Sequence, residues 1–239
     1  MKRSCHYLTL LFIATLGVSE LAHGQFGIGG RYSVIQEGYW QELFLTLNSN
    51  YSDQLTSVYG MYWFRLKEKR IEFLPEIGYY SSLNRNVKTG PPNDLSAFYF
   101  QLNTDIYFLD FSSDCNCPTF SKQNDLLQRG LFAEVSAGVE FRRLGIDYLE
   151  SNTLSTRVFK RTVPKIYGGL GFDIGVSDLV TVTPTAGITL LPGSAWEGVE
   201  EFIEADGSTL DRRGKNRDLL YNAGVRILLR PDYLRRNRR

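Results

Sequence analysis

Cys115 and Cys117, one residue apart around Asn116, are the nearest thing in this 239-residue chain to a chemical motif. Two thiols at that spacing could close a small disulfide in an oxidising compartment, carry redox chemistry, or donate two ligands to a metal. The metal use lacks the usual four ligands. Only carboxylates such as Asp110 and Asp114 stand nearby, so no metal or other cofactor is expected. Both histidines, His6 and His23, precede Gln25, in a segment with the layout of a cleaved leader. Without an imidazole there is no Ser-His-Asp triad, no histidine general base and no common zinc set. Serines such as Ser33 or Ser136 would lack a base. The expectation is a protein without catalytic activity.

The remaining ionisable side chains of interest recur opposite apolar faces. Arg31, Glu72, Glu76, Asp105, Glu134, Glu140, Arg142, Asp173 and Arg226 each lie on the polar side of an alternating segment. Charges on a lipid-facing side would cost about 2–4 kcal/mol each for Arg near the midplane. In a narrow closed barrel they would instead face inward and pair across the lumen. A second use of the same residues is a path for a proton or cation, because the acidic members outnumber the basic ones.

What positions these residues is a period of two. From Ala97 to Phe108, the residues Phe98, Phe100, Leu102, Thr104, Ile106 and Phe108 alternate with Ala97, Tyr99, Gln101, Asn103, Asp105 and Tyr107. Alternation over such a length describes a strand with one apolar face, about as long as a tilted membrane-crossing strand of roughly 9–11 residues. Similar segments occur at about 25–35, 57–66, 70–81, 131–142, 166–174, 180–190 and 219–229. The faces of 57–66 are ambiguous, because Tyr59, Met61 and Trp63 alternate with Val58, Tyr62 and Phe64. Lys67-Glu68-Lys69 and Ser177-Asp178 read as tight turns; 36–56, 82–96, 144–163 and 192–215 read as long loops, and 110–130 as a polar connector. Pro75 and Pro184 each remove a ladder donor and should mark a bulge or bend.

Eight strands make an antiparallel up-and-down transmembrane β-barrel spanning residues 25–230. Ten strands, using Glu42 to Tyr51 and residues 153–160, is the alternative. Ahead of it, Lys2 and Arg3, the apolar run Leu8 to Val18 and the small residues of Ala22-His23-Gly24 form a signal-peptide pattern, with cleavage expected after Gly24. The chain has 27 basic and 26 acidic residues. Removing residues 1–24 takes away Lys2, Arg3 and Glu20 and leaves the two in balance, which argues against a nucleic-acid partner.

Segments such as Phe73-Leu74-Pro75-Glu76-Ile77-Gly78-Tyr79 and Ala133-Glu134-Val135-Ser136-Ala137-Gly138-Val139 resemble the small outer-membrane β-barrel family of OmpA/OmpX-like type. The likeness covers the mature chain and rests on pattern. It implies an outer-membrane location, lipid and the barrel assembly machinery as partners, and a structural or adhesive role through long outer loops. A narrow pore, or a soluble barrel holding an apolar ligand, are the alternatives. Tyr39, Trp40, Tyr51 and Trp196 would be loop contacts or part of an outer aromatic girdle. Family barrels usually end on an aromatic residue, whereas this chain runs through Leu228-Leu229-Arg230 into a basic tail, 231–239. That departure suggests an internal segment as the assembly signal.

Overall fold

The computed structural model describes residues 25–38, 53–65, 70–82, 94–109, 130–150, 153–177, 179–196, 199 and 216–229. The leader, Glu42 to Tyr51, Cys115, Cys117, Tyr39, Trp40 and the basic tail lie outside the described residues.

Alternating sequence forms nine elements: β1 (Gln25–Gly38), β2 (Gln54–Arg65), β3 (Ile71–Ser82), β4 (Asp94–Ile106), β5 (Leu131–Glu150), β6 (Thr153–Phe172), β7 (Ile174–Gly175), β8 (Val180–Pro192) and β9 (Arg217–Leu229). All pairings are antiparallel. From β1 to β6 and from β7 to β9 each strand pairs with its sequence neighbour, β1 also pairs with β9, and β6 pairs with β8, which closes the sheet. β7 continues β6 in the same register, since Gly171 faces Thr185 and Ile174 faces Val182. Counted as one stave, β6 and β7 make this an eight-stranded closed barrel. Closure removes the free edge that would otherwise leave a row of unpaired backbone groups.

Side chains alternate between two environments. Phe98, Val135, Leu170 and Ile227 are 62%, 50%, 54% and 40% exposed on the outer wall, whereas Glu76 and Arg226 are each 1% exposed inside. This resolves β2 as well. Leu55, Ser57, Tyr59, Met61 and Trp63 point inward and Val58, Tyr62 and Phe64 outward. The physical reason is that the inward Trp63 Nε1 reaches Glu72 and the inward Tyr59 ring lies under Arg31. The outward Tyr62 packs edge-on against Phe26 and tilts toward Phe64.

Three expectations are corrected. Residues 144–163, read as a loop, are mostly strand: β5 and β6 run in unbroken register from Leu131↔Phe172 to Glu150↔Thr153. On the inward parity of β6, Arg161 is half-buried between Phe159 and Val163, where it bonds the Gly193 carbonyl, and Arg157 is exposed nearer the hairpin, so neither charge contradicts a strand. Second, of the bulge or bend expected at Pro75 and Pro184, no bulge forms: the ladder has a gap beside each proline while its register is kept. The β2–β3 register is the same on both sides of Pro75, from Met61↔Glu76 to Phe64↔Phe73. Pro184 would face Phe172, where β6 breaks off before β7. A missing N–H removes a bond without adding a residue, so the register survives. A register shift occurs instead between Ile35 and Glu37, where β1 meets β9. Third, Trp196 is buried at the mouth of the barrel rather than placed on an outer girdle.

Inward glycines sit beneath inward rings. A Cβ on Gly29 would lie 2.4 Å from the Tyr59 ring, and one on Gly171 would lie 2.1 Å from that of Phe132. At Gly138 the obstacle is backbone: a Cβ would stand 2.3 Å from the Phe100 carbonyl oxygen, while on Gly60 it would meet nothing within 4 Å. Gly138→Val should therefore destabilise the barrel by at least about 1–3 kcal/mol through overpacking, and Gly60→Val should be tolerated. Urea unfolding of the refolded protein, followed by heat-dependent gel mobility, separates the two.

Candidate interior charge network and sealed mouth

The candidate site is the barrel interior, where the structure places all nine of the charged residues singled out from the sequence with buried side chains. It also brings in Lys165, Asp218 and Arg70, which are buried too. Lys165 and Asp218 each lie one residue before a segment read as strand. Their parity, shared with Tyr167 and Leu220, was the signal that could have found them.

The interior is arranged in tiers. At the end where β1 begins and β9 finishes, Arg226 Nη2 lies 3.2 Å from Asp105 Oδ2 and 3.3 Å from Glu134 Oε2. Its guanidinium also stands over the Phe132 ring, at 5.1 Å from the centroid. Beside it the Tyr107 hydroxyl lies 2.6 Å from Asp173 Oδ2 and 3.0 Å from Glu72 Oε2. Thr183 donates to the other Asp173 oxygen, and Trp63 donates to Glu72. Arg70 covers the Tyr107 ring at 4.4 Å.

The middle tier is a two-pronged pair. Arg31 Nη1 and Nη2 reach Glu76 Oε1 and Oε2 at 3.2 and 3.4 Å. Such a fork fixes geometry as well as charge. Tyr99 and Asn103 donate to the same carboxylate at 2.9 and 2.7 Å, and Gln101 donates to Asn103 at 2.7 Å. Tyr59 and Tyr167 offer ring faces to the Arg31 guanidinium, at 4.8 and 5.5 Å.

In the upper tier Glu140 accepts from the Tyr80 hydroxyl at 2.9 Å and pairs with Lys165 at 3.1 Å. Arg142 pairs with Asp218 at 2.9 Å, and its guanidinium stands 5.6 Å from the Trp196 ring centroid. Above this the chemistry changes. Ile35, Leu55, Leu95, Leu144, Ile146, Phe159, Val163, Leu191 and Leu220 join Trp196 and Val199 in one buried apolar cluster. The segment after β8 is turned into this mouth through Gly193, whose φ of 72° favours glycine. Three bonds hold it there: Gly193 N donates to the Asn216 carbonyl, Ala195 N to Asn216 Oδ1, and Arg161 Nε to the Gly193 carbonyl.

The molecule is a closed eight-stave cylinder with an apolar outer wall and a filling of ionisable, hydrogen-bonded side chains. The structure is similar to Neisserial surface protein A at 11% identity, with a TM-score of 0.43, covering 87% of this chain and 97% of that one. It is similar to the N-terminal β-barrel domain of Pseudomonas aeruginosa OprF at 11% identity and TM-score 0.41, covering 87% and 99%. Against Ail, the attachment invasion locus protein of Yersinia pestis, the values are 9% and 0.40, covering 86% and 97%. No protein-family model and no curated protein sequence matches the chain. At these identities the likeness is one of fold.

The barrel's interior charges are interdependent, because a buried ion that loses its partner is strongly penalised. Arg226→Met should cost about 3–5 kcal/mol, since it leaves Asp105 and Glu134 uncompensated. Adding Asp105→Asn and Glu134→Gln to that variant should recover much of the loss. Equilibrium urea unfolding of the three proteins in detergent micelles measures both effects.

Proposed function

We propose that this chain is a non-enzymatic outer-membrane barrel with a structural or adhesive role, acting through the connections at its plugged end. The observation that carries the reading is the inversion of faces: large apolar side chains stand on the outer wall while ionisable ones fill the interior. A wall of this kind in water would be an exposed apolar surface far larger than a soluble monomer tolerates. In hydrocarbon it is matched by its solvent, and closure leaves the sheet no free edge.

The sealed mouth favours scaffold over pore. A solute entering from the β5–β6 end would meet the apolar cluster around Trp196, then Arg142 and Glu140, then the Arg31–Glu76 fork. The β1–β2, β3–β4 and β8–β9 connections all leave from that same end, as does the β5–β6 hairpin. Long connections belong on the outer side of such barrels, which makes this end the surface for an extracellular ligand. The connector between β4 and β5, with Cys115 and Cys117, then faces the periplasm, where a structural disulfide is the favoured state. In this reading residues 1–24 are removed as a leader, 231–239 is a solvated basic tail, and the barrel assembly machinery inserts the chain.

Fractionation tests the location: the processed protein should remain with outer membranes until detergent is added, and should migrate differently on gels before and after boiling. Recovery from aqueous extracts would defeat the reading. In planar bilayers the wild-type barrel should show no stable conductance steps. Trp196→Gly with Arg142→Ser should also stay silent, because the Arg31–Glu76 fork and the Arg226 tier still fill the lumen below the mouth. Steady channels from the unaltered protein would favour the pore instead.

A further inference from the structure

We propose that Arg143 and Lys160 form a docking site for a lipid with a phosphomonoester headgroup, at the outer rim of the barrel wall. The proposal rests on the membrane reading above. Arg143 on β5 and Lys160 on β6 are directly opposite one another, on the outward parity, and both are exposed. Like charges facing each other across a ladder are destabilising, and neither residue makes an ion pair with any described residue. On the other side of Arg143, β4 places Ser96, with Asp94 one diagonal step farther toward the rim. Asp94 likewise makes no ion pair with the two cations. A dianionic phosphate between a guanidinium and an ammonium would convert the repulsion into two charge-assisted contacts.

The height of the pair selects the ligand. Below Arg143 the outward positions of β5 are Leu131, Ala133, Val135, Ala137, Val139 and Phe141, without a charge. At roughly 3.3 Å per residue and a tilt of about 40°, that run rises about 25 Å, the height of the apolar band of an outer-membrane barrel. Arg143 therefore stands where hydrocarbon gives way to headgroups. Directly beneath it Phe141 neighbours Phe98 on β4, and Ile166 and Leu170 continue the wall along β6, all of them exposed. The occupant must present an anion at the cations and acyl chains to these side chains at once. A phosphate-bearing lipid does both, whereas a free phosphate would gain only the upper half.

The experiment uses the full mature barrel reconstituted in phosphatidylcholine vesicles containing a small fraction of spin-labelled lipid. The labelled probe is phosphatidic acid or, as reference, phosphatidylcholine with the same chains. Wild-type protein should hold phosphatidic acid at its surface at least about fivefold more strongly than phosphatidylcholine at low salt, as expected for each cation near an anionic headgroup. The ratio should fall as salt is raised. Arg143→Gln with Lys160→Gln should bring it close to one. Arg217→Gln, which removes an exposed cation from the rim of β9, should change it by less than half as much. Millimolar inorganic phosphate should leave the wild-type ratio unchanged; abolition of the ratio by phosphate would mean that the site takes the free anion. Equal ratios in wild type and the double variant would overturn the proposal. Heat-dependent gel mobility of each sample shows separately whether the barrel has inserted, so a failure of the membrane reading is distinguished from a failure of the lipid site.

Discussion

The width of an eight-strand cylinder governs everything else in this molecule. Such a lumen is just wide enough to be filled by the side chains that point into it. Each inward position must then be chosen for volume as well as polarity. This explains why inward glycines lie under inward rings, with Tyr59 over Gly29, Tyr99 over Gly78 and Phe132 over Gly171. A ring that cannot extend straight across the lumen lies flat along the wall, and the neighbouring strand leaves it room by carrying no side chain.

Narrowness also dictates the electrostatics. Guanidinium groups sealed from water need partners on several sides, and the tiers supply part of them, leaving Arg31 Nε, Arg142 Nη2 and Arg226 Nε and Nη1 without a hydrogen bond. Arg31 has a carboxylate in its plane and rings on its faces; Arg226 has two carboxylates and a ring. Glu76 in turn receives a hydroxyl and an amide donor, and Glu72 a hydroxyl and an indole. Such networks confer geometry more than net stability, because desolvation offsets much of the attraction. Here they tie distant strands together: Arg31 of β1 to Glu76 of β3, Arg226 of β9 to Asp105 of β4 and Glu134 of β5. The interior braces the wall across its diameter.

Toward the β5–β6 end this logic gives way to that of an ordinary apolar core. Leu144, Ile146, Phe159 and Val163 are buried against Trp196, Val199 and Leu191. The change explains why residues 144–163 are hard to read as strand. Period two persists there, but the meaning of each face changes along the same element. The inward side is polar in the lumen and greasy at the mouth, then charged again at Arg157. Trp196 illustrates the complementary difficulty, because nothing in its local sequence distinguishes an indole at an interface from one folded into a mouth.

The sequence by itself determined which residues alternate, and therefore most of the strands and which residues share a face, with Glu76 opposite Ile77 and Arg226 opposite Ile227. Those properties are local, set by backbone geometry that sends neighbouring side chains to opposite sides of a strand. It could not determine which charges meet, that Lys165 and Asp218 belong among them, that Pro184 interrupts β6, or that the mouth is stoppered by residues following β8. Each of these depends on register and closure between strands far apart in the chain. Tertiary structure decides them because only a closed cylinder sets a height for every residue and a partner across the lumen at that height.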